Sequence, residues 1–342
     1  MPFKVLIVDD SALIRSLLAS IIRQSSELEL VGAAADPFIA REMILQFKPD
    51  VITLDIEMPR MDGLTFLEKL MAARPTPVIM ISTLTHSHAE ATLRALELGA
   101  VDFIEKPSVG IAAGLNEYAE IIIEKLLAAA KASLHNPSRS PASPVAYKTP
   151  LVGAEKIIAI GASTGGTEAI KSVLSQLPSN IPGIVITQHM PAGFTESFAR
   201  RLDRLTRLTV VEAKGEERIL PGHVFLAPGD KHLIVARMSN TYITRLNDEP
   251  PSLRHKPAVD LLFNSVAAAA GRNAVAVLLT GMGKDGARGM LNIHQQGGHT
   301  IAQDEKSCVV FGMPREAIKL GGVNEVIPLN GVGEAIVRNL SR

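Results

Sequence analysis

From residue 131 to 145 the chain reads Lys-Ala-Ser-Leu-His-Asn-Pro-Ser-Arg-Ser-Pro-Ala-Ser-Pro-Val, and three prolines with four serines leave nothing there that could be a core. On either side, short apolar runs alternate with longer stretches of helical spacing, the pattern of a doubly wound parallel sheet. The expectation is an α/β chain in three parts: a first domain over 1–130, a flexible linker over 131–154 and a second domain over 155–342. Five strand candidates mark the first part, Phe3 to Val8, Leu30 to Ala34, Val51 to Leu54, Pro77 to Ser82 and Val101 to Ile104, which suits a flavodoxin-like sheet. In the second part the strands are Ile157 to Ile160, Ile184 to Thr187 and Ala274 to Leu279. Between them Val224 to Leu226, His232 to Arg237 and Thr241 to Arg245 are set apart by Gly, Asn and Asp turns, which predicts a short antiparallel excursion.

A length of 342 residues fits about two domains, each able to bury a full core. No apolar run approaches the ~20 residues that cross a bilayer. The start, Met1-Pro-Phe-Lys-Val-Leu-Ile-Val-Asp-Asp10, enters a strand without a small-residue cleavage site, and the single cysteine, Cys308, excludes an internal disulfide; both lead to an expected cytoplasmic location. Lys+Arg and Asp+Glu balance at 35 each, so no bulk charge draws the chain to nucleic acid, and none is expected as a partner.

In a parallel sheet, functional groups gather at the carboxyl ends of the strands. In the first part those ends carry Asp9 and Asp10, then Asp55 followed by Glu57, then Ser82 and Thr83, then Lys106 and Pro107. One Asp after a strand is an ordinary turn former. Three carboxylates in one crevice repel each other and need a cation, and hard oxygen ligands suit Mg²⁺. A lysine beside them could neutralise a phosphoryl group carried on a carboxylate.

On Val8-Asp-Asp10, Leu54-Asp-Ile-Glu-Met-Pro-Arg-Met-Asp-Gly63 and Lys106-Pro107, the first 125 or so residues resemble a response-regulator receiver domain. The resemblance implies that Asp55 accepts phosphate from a histidine kinase, that Asp9 and Asp10 help it hold Mg²⁺, and that Ser82 and Lys106 read the phosphoryl oxygens. Phe103 stands where such domains carry a switch aromatic.

In the second part, Ser163 tips a small-residue turn that ends the apolar run from Ile157. A serine becomes a nucleophile when a turn exposes its oxygen, an imidazole takes its proton and N–H groups receive the oxyanion. The competing reading is a phosphate-cradling turn for a dinucleotide. It is weakened because Ser163 replaces the middle glycine and because the next strand runs into Gln188 and His189 without the acid a ribose needs. His189 is the leading base. Asp285, among Gly281, Gly283 and Gly286 after the most apolar strand, is the leading orienting acid. His232, His255 and His299 compete as bases; Asp230, Asp260 and Asp304 compete as acids.

On Ile160-Gly-Ala-Ser-Thr-Gly-Gly166, Gln188-His-Met-Pro191, Leu226-Ala-Pro-Gly-Asp-Lys-His232, Leu279-Thr-Gly-Met-Gly-Lys-Asp-Gly286 and Phe311-Gly-Met-Pro314, the region from about 156 to 327 resembles the catalytic domain of the chemotaxis protein-glutamate methylesterases of the CheB type. The resemblance implies a triad of Ser163, His189 and Asp285, with the Met282 N–H as oxyanion donor and no cofactor for the ester chemistry. It further implies methyl-accepting chemoreceptors as substrate, glutaminase activity, a chemotaxis histidine kinase as phosphodonor, and no membrane insertion. The linker would let the unphosphorylated receiver act as a lid on the Ser163 cleft. A serine hydrolase of another ester and a receiver-linked nucleotide module are the alternative functions.

Overall fold

The computed structural model describes residues 1–83, 86–106, 115–132, 156–251 and 255–340, in two compact units, Met1–Leu134 and His135–Arg342. All but residues 131 and 132 of the expected linker, together with Pro107 and Arg254, lie outside the described residues.

The first unit runs β1 (Phe3–Val8), α1 (Ala12–Ile22), β2 (Leu28–Ala34), α2 (Pro37–Phe47), β3 (Val51–Asp55), α3 (Gly63–Ala73), β4 (Val78–Ser82), α4 (His86–Glu97), β5 (Asp102–Glu105) and α5 (Leu115–Ala130). Its five strands are ordered β2-β1-β3-β4-β5, all parallel. Helices on both faces of such a sheet bury both sides of each central strand, which is why Val51, Ile52, Thr53, Leu54 and Asp55 are all buried. Side chains start the helices: the Asp36 carboxylate accepts from the N–H groups of Phe38 and Ile39, and Asp62 does the same for Thr65. Asp62, part of the run that carries the receiver resemblance, is therefore a helix cap. Its neighbour Gly63 is obligatory, because a Cβ there would lie 2.0 Å from the Asp55 carbonyl oxygen.

The second unit continues with β6 (Ile157–Ala162), α6 (Gly166–Gln176), β7 (Ile184–Gln188), α7 (Phe194–Leu205), β8 (Thr209–Glu212), β9 (His223–Leu226), β10 (His232–Met238), β11 (Thr241–Asn247), α8 (Val259–Ala270), β12 (Ala274–Leu278), α9 (Ala287–Gln295), β13 (His299–Gln303), α10 (Met313–Lys319), β14 (Glu325–Ile327) and α11 (Val332–Leu340). Seven parallel strands are ordered β14-β13-β12-β6-β7-β9-β8. β6 lies between β7 and β12, so the chain leaves its carboxyl end in one direction and later returns on the other side. That reversal opens a crevice beside the end of β6.

The antiparallel excursion is smaller than its sequence suggests. β10 and β11 form a hairpin paired from His232↔Asn247 to Met238↔Thr241. The Val224 to Leu226 run belongs instead to the main sheet as β9, parallel to β7 and β8. The turns around that run mark where strands end and say nothing of what each pairs with. β8, β13 and β14 were not anticipated: they are three to five residues long, and β8 and β13 end in polar groups. No described helix is long and apolar enough to cross a membrane.

Candidate functional site

Two groups of residues stand at strand carboxyl ends, one in each unit. In the first unit, Asp9 and Asp55 are buried and Asp10 is exposed, and each offers a carboxylate oxygen, all within 4.8 Å of one another. Lys106 Nζ lies 2.7 Å from Asp55 Oδ2 and 3.2 Å from Asp9 Oδ2. Burial, reinforced by the Asp9 charge, pushes the Asp55 carboxyl up to about 6 against the Lys106 hydrogen bond. Burial likewise raises Asp9. At Lys106 burial acts to lower the pKa, but the Asp55 hydrogen bond and the Asp55 and Asp9 charges outweigh it and hold the ammonium above its ordinary value.

The donor set fits a hard divalent ion. Although Lys106 is within ion-pair range, Asp9 Oδ2 is buried without a hydrogen bond among the described residues. A cation would complete the coordination of that oxygen. A cavity of about 600 Å³, bordered among others by Asp10, Glu57, Met58 and His88, opens beside the cluster.

Ser82 stands at the same edge but turns elsewhere. Its Oγ accepts from Thr92 Oγ1 on α4 at 2.9 Å and donates to the Thr83 carbonyl at 3.3 Å. Below Thr83, His88 bridges Thr83 Oγ1 and Glu57 Oε1, each at 2.6 Å. Nothing in the spacing of the sequence signals these α4 contacts. Phe103 is buried, with the Lys125 ammonium 5.4 Å from its ring centroid.

In the second unit the ends of β6, β7 and β12 bring Ser163, His189 and Asp285 to one crevice. Ser163 is half-buried, and its turn is closed by Gly166 N–H donating to the Ser163 carbonyl at 2.7 Å. The His189 N–H donates to the Ala162 carbonyl at 3.1 Å, while the Gln188 amide nitrogen donates to the carbonyls of Ser163 at 2.9 Å and His189 at 3.2 Å. One side chain thus ties the serine turn to the histidine turn.

The Asp285 carboxylate accepts from His189 Nε2 at 2.8 Å, from the Val259 N–H at 2.7 Å and from the Asp260 N–H at 2.8 Å. Burial works to raise this carboxyl, but the bond and charge of His189 and the two N–H groups at the start of α8 prevail and hold it below the usual carboxylate range. The other ring nitrogen, His189 Nδ1, is buried and has no hydrogen-bond partner among the described residues, Ser163 included. That nitrogen is the one left to receive a proton. A second imidazole, His255, stacks on the ring with centroids 3.8 Å apart and planes 12° from parallel.

Gly281 closes the crevice against the serine: a Cβ there would lie 2.8 Å from Ser163 Cβ and 2.3 Å from Met313 Sδ. Met282, the next residue, is half-buried on the loop leading to Asp285.

The competing histidines and acids have other partners. His232 is fully buried, bonded to the Ala258 N–H and the Pro250 carbonyl. His299, at the amino end of β13, meets Glu325 at 2.9 Å. Asp260 accepts from the Gly289 N–H at 2.7 Å, and burial pushes its carboxyl up to about 6. Asp304 accepts from the Ser307 N–H, and Asp230 is exposed. Buried Cys308 has its thiol raised to about 12, chiefly by burial, as suits a packing residue.

Fold and sites together define a chain in which a receiver-type phosphoacceptor module is joined to a doubly wound α/β enzyme unit. Residues 158–336 match the family described as CheB methylesterase, and residues 5–112 match the response regulator receiver domain. The chain belongs to the CheB methylesterase family. It is 60% identical over 333 residues, 95% of this chain and 93% of the relative, to the protein-glutamate methylesterase/protein-glutamine glutaminase of Methylobacillus flagellatus. A Pseudomonas aeruginosa protein-glutamate methylesterase/protein-glutamine glutaminase 2 is also 60% identical, over 100% of this chain and 98% of its own. Among solved structures, the catalytic domain of Thermotoga maritima CheB methylesterase superposes with a TM-score of 0.52 at 41% identity, covering 54% of this chain and 97% of that domain.

Proposed function

We propose that this chain is a phosphorylation-controlled serine hydrolase that removes the γ-methyl ester from glutamyl side chains of methyl-accepting chemoreceptors and deamidates glutamines at such positions. Ser163 is the nucleophile, His189 the base and Asp285 the group that orients the imidazole. The observation that carries the reading is the Asp285 bond to His189 Nε2, which leaves Nδ1 without a partner in the crevice that Ser163 borders.

As Ser163 Oγ attacks the ester carbonyl, Nδ1 takes its proton and Asp285 stabilises the imidazolium that forms. The Met282 N–H receives the oxyanion. His189 returns the proton to the leaving methoxide, methanol departs, and water, deprotonated by the same nitrogen, cleaves the acyl-serine to give glutamate. On a glutaminyl side chain the leaving group is ammonia.

In the receiver, Asp55 takes a phosphoryl group from a chemotaxis histidine kinase, while Asp9, Asp10 and Asp55 hold Mg²⁺. The ion, when bound, offsets the negative charge that gathers as phosphate meets a carboxylate. Lys106 pairs with the phosphoryl oxygens. Ser82 reads them by turning its hydroxyl from the Thr83 carbonyl toward Asp55. The test is methanol release from a methylated receptor fragment, with and without a small phosphodonor and Mg²⁺. Ser163→Ala should abolish release and leave phosphorylation of Asp55 intact; retained release would overturn the serine assignment.

A further inference from the structure

The hairpin of β10 and β11 stands outside the seven-stranded sheet, yet its first residue, His232, is among the most deeply buried polar side chains of the unit. The Ala258 N–H donates to His232 Nδ1 at 3.0 Å, so Nδ1 is an acceptor and the ring proton of the neutral imidazole belongs on Nε2. From there it is directed to the Pro250 carbonyl, 3.3 Å away. Ala258 is the N-cap of α8 and has no capping side chain. The first N–H groups of a helix have no partner within it. Here three in succession are taken up by two side chains: Ala258 by His232, and Val259 and Asp260 by the carboxylate of Asp285.

The carboxylate that bonds His189 is therefore held by a helix end whose own position His232 fixes. A second tie, the Val235 N–H donating to Ser265 Oγ at 2.9 Å, joins the same strand to α8 about two turns further on and keeps the two elements in register. We infer that His232 is a positioning residue for the hydrolase: from the hairpin, through the first turn of α8, it sets where Asp285 places the His189 ring. The inference rests on the proposed roles of Ser163, His189 and Asp285, and it gives the antiparallel excursion a part in the chemistry.

The test compares three variants of the full chain. His232→Asn keeps an acceptor where Nδ1 stood. His232→Gln carries its acceptor further out and loses that contact, and His232→Leu removes it. For each, kcat and KM are measured on a small carboxylic ester, and the rate at which a fluorophosphonate labels Ser163 is followed. The final extent of labelling counts folded sites, so a loss of folded protein does not pass for a loss of rate. Displacement of a reacting group by about 1 Å costs up to ~10²-fold. Per labelled site, kcat and the labelling rate should fall about 10- to 100-fold in the Gln and Leu variants with KM unchanged. His232→Asn should recover most of the rate. Equal rates for Asn and Gln, or a wild-type rate for Gln, would overturn the role of His232. Should the wild-type chain not label at Ser163 at all, the hydrolase reading itself fails, and with it this inference.

Discussion

Asp285 meets His189 at Nε2, 2.8 Å away, rather than at Nδ1. The imidazole is thus turned end for end relative to the trypsin-type arrangement, in which the acid holds Nδ1 and Nε2 serves the serine. A doubly wound sheet accounts for this. His189 and Asp285 follow the strands that flank β6, on opposite sides of Ser163, so the ring must reach across the end of β6.

Asp285→Asn should lower kcat for methanol release by about 10³- to 10⁴-fold, as in other triads where the orienting acid is neutralised. Asparagine can accept through one atom only, yet Val259, Asp260 and His189 now donate to two. Phosphorylation of Asp55 by a small phosphodonor should be unaffected, and a steady-state methanol assay beside a phosphorylation time course checks both halves.

Gly281→Ala should inactivate the esterase without touching the receiver. The added methyl would stand 2.8 Å from Ser163 Cβ and 2.3 Å from Met313 Sδ, so the serine turn or the Met282 loop must move. A displacement of about 1 Å costs up to ~10²-fold in rate. Fluorophosphonate labelling of Ser163 should slow by a similar factor while circular dichroism stays unchanged.

Burial lifts Asp55 to about 6 from 3.8, so the folded chain binds this proton more tightly than the unfolded chain does. The sign follows from linkage: stability from the bound proton is complete below about 3.8 and is lost as pH rises through about 6. At neutral pH the ionised carboxylate costs the first unit on the order of 2–3 kcal/mol. Asp55→Asn should therefore raise the Tm of that unit at pH 7.5, and most of the gain should disappear at pH 4. Mg²⁺ should raise the wild-type Tm at pH 7.5 by binding the folded carboxylates, and Asp9→Asn should abolish that increment. Calorimetry at the two pH values, with and without the ion, decides both.

The first unit was legible nearly strand for strand, because parallel strands covered on both faces read as unbroken apolar runs such as Val78 to Ser82. The edges of the second sheet were not. β14 contributes three residues, none of them buried, and β8 alternates exposed and buried positions, so neither writes such a run. Placing Ser163, His189 and Asp285 at one crevice required only that β6, β7 and β12 be parallel neighbours. What surrounds them was hidden. The His255 stack, the α8 N–H groups on Asp285 and the turn of Ser82 toward Thr92 all depend on where a helix or loop packs, and no local pattern encodes that. His232 is the clearest case: its neighbours in sequence are a turn and a hairpin, and its role depends on Ala258, 26 residues away.

The proposed control by Asp55 makes a prediction about the whole chain. The acidic cluster belongs to the first unit and the Ser163 crevice to the second, and the proposed triad chemistry has no step for phosphate on Asp55. On that reading phosphate acts by shifting a population between states that differ in access to Ser163. If the unphosphorylated receiver favours the restricted state, a chain lacking residues 1–140 should cleave methylated receptor faster than the full unphosphorylated chain. It should also lose all response to phosphodonor and Mg²⁺. The two rates on one receptor preparation, each normalised to fluorophosphonate-reactive Ser163, measure the restraint directly. Equal basal rates would show that the receiver activates without inhibiting, and the lid would have to be abandoned.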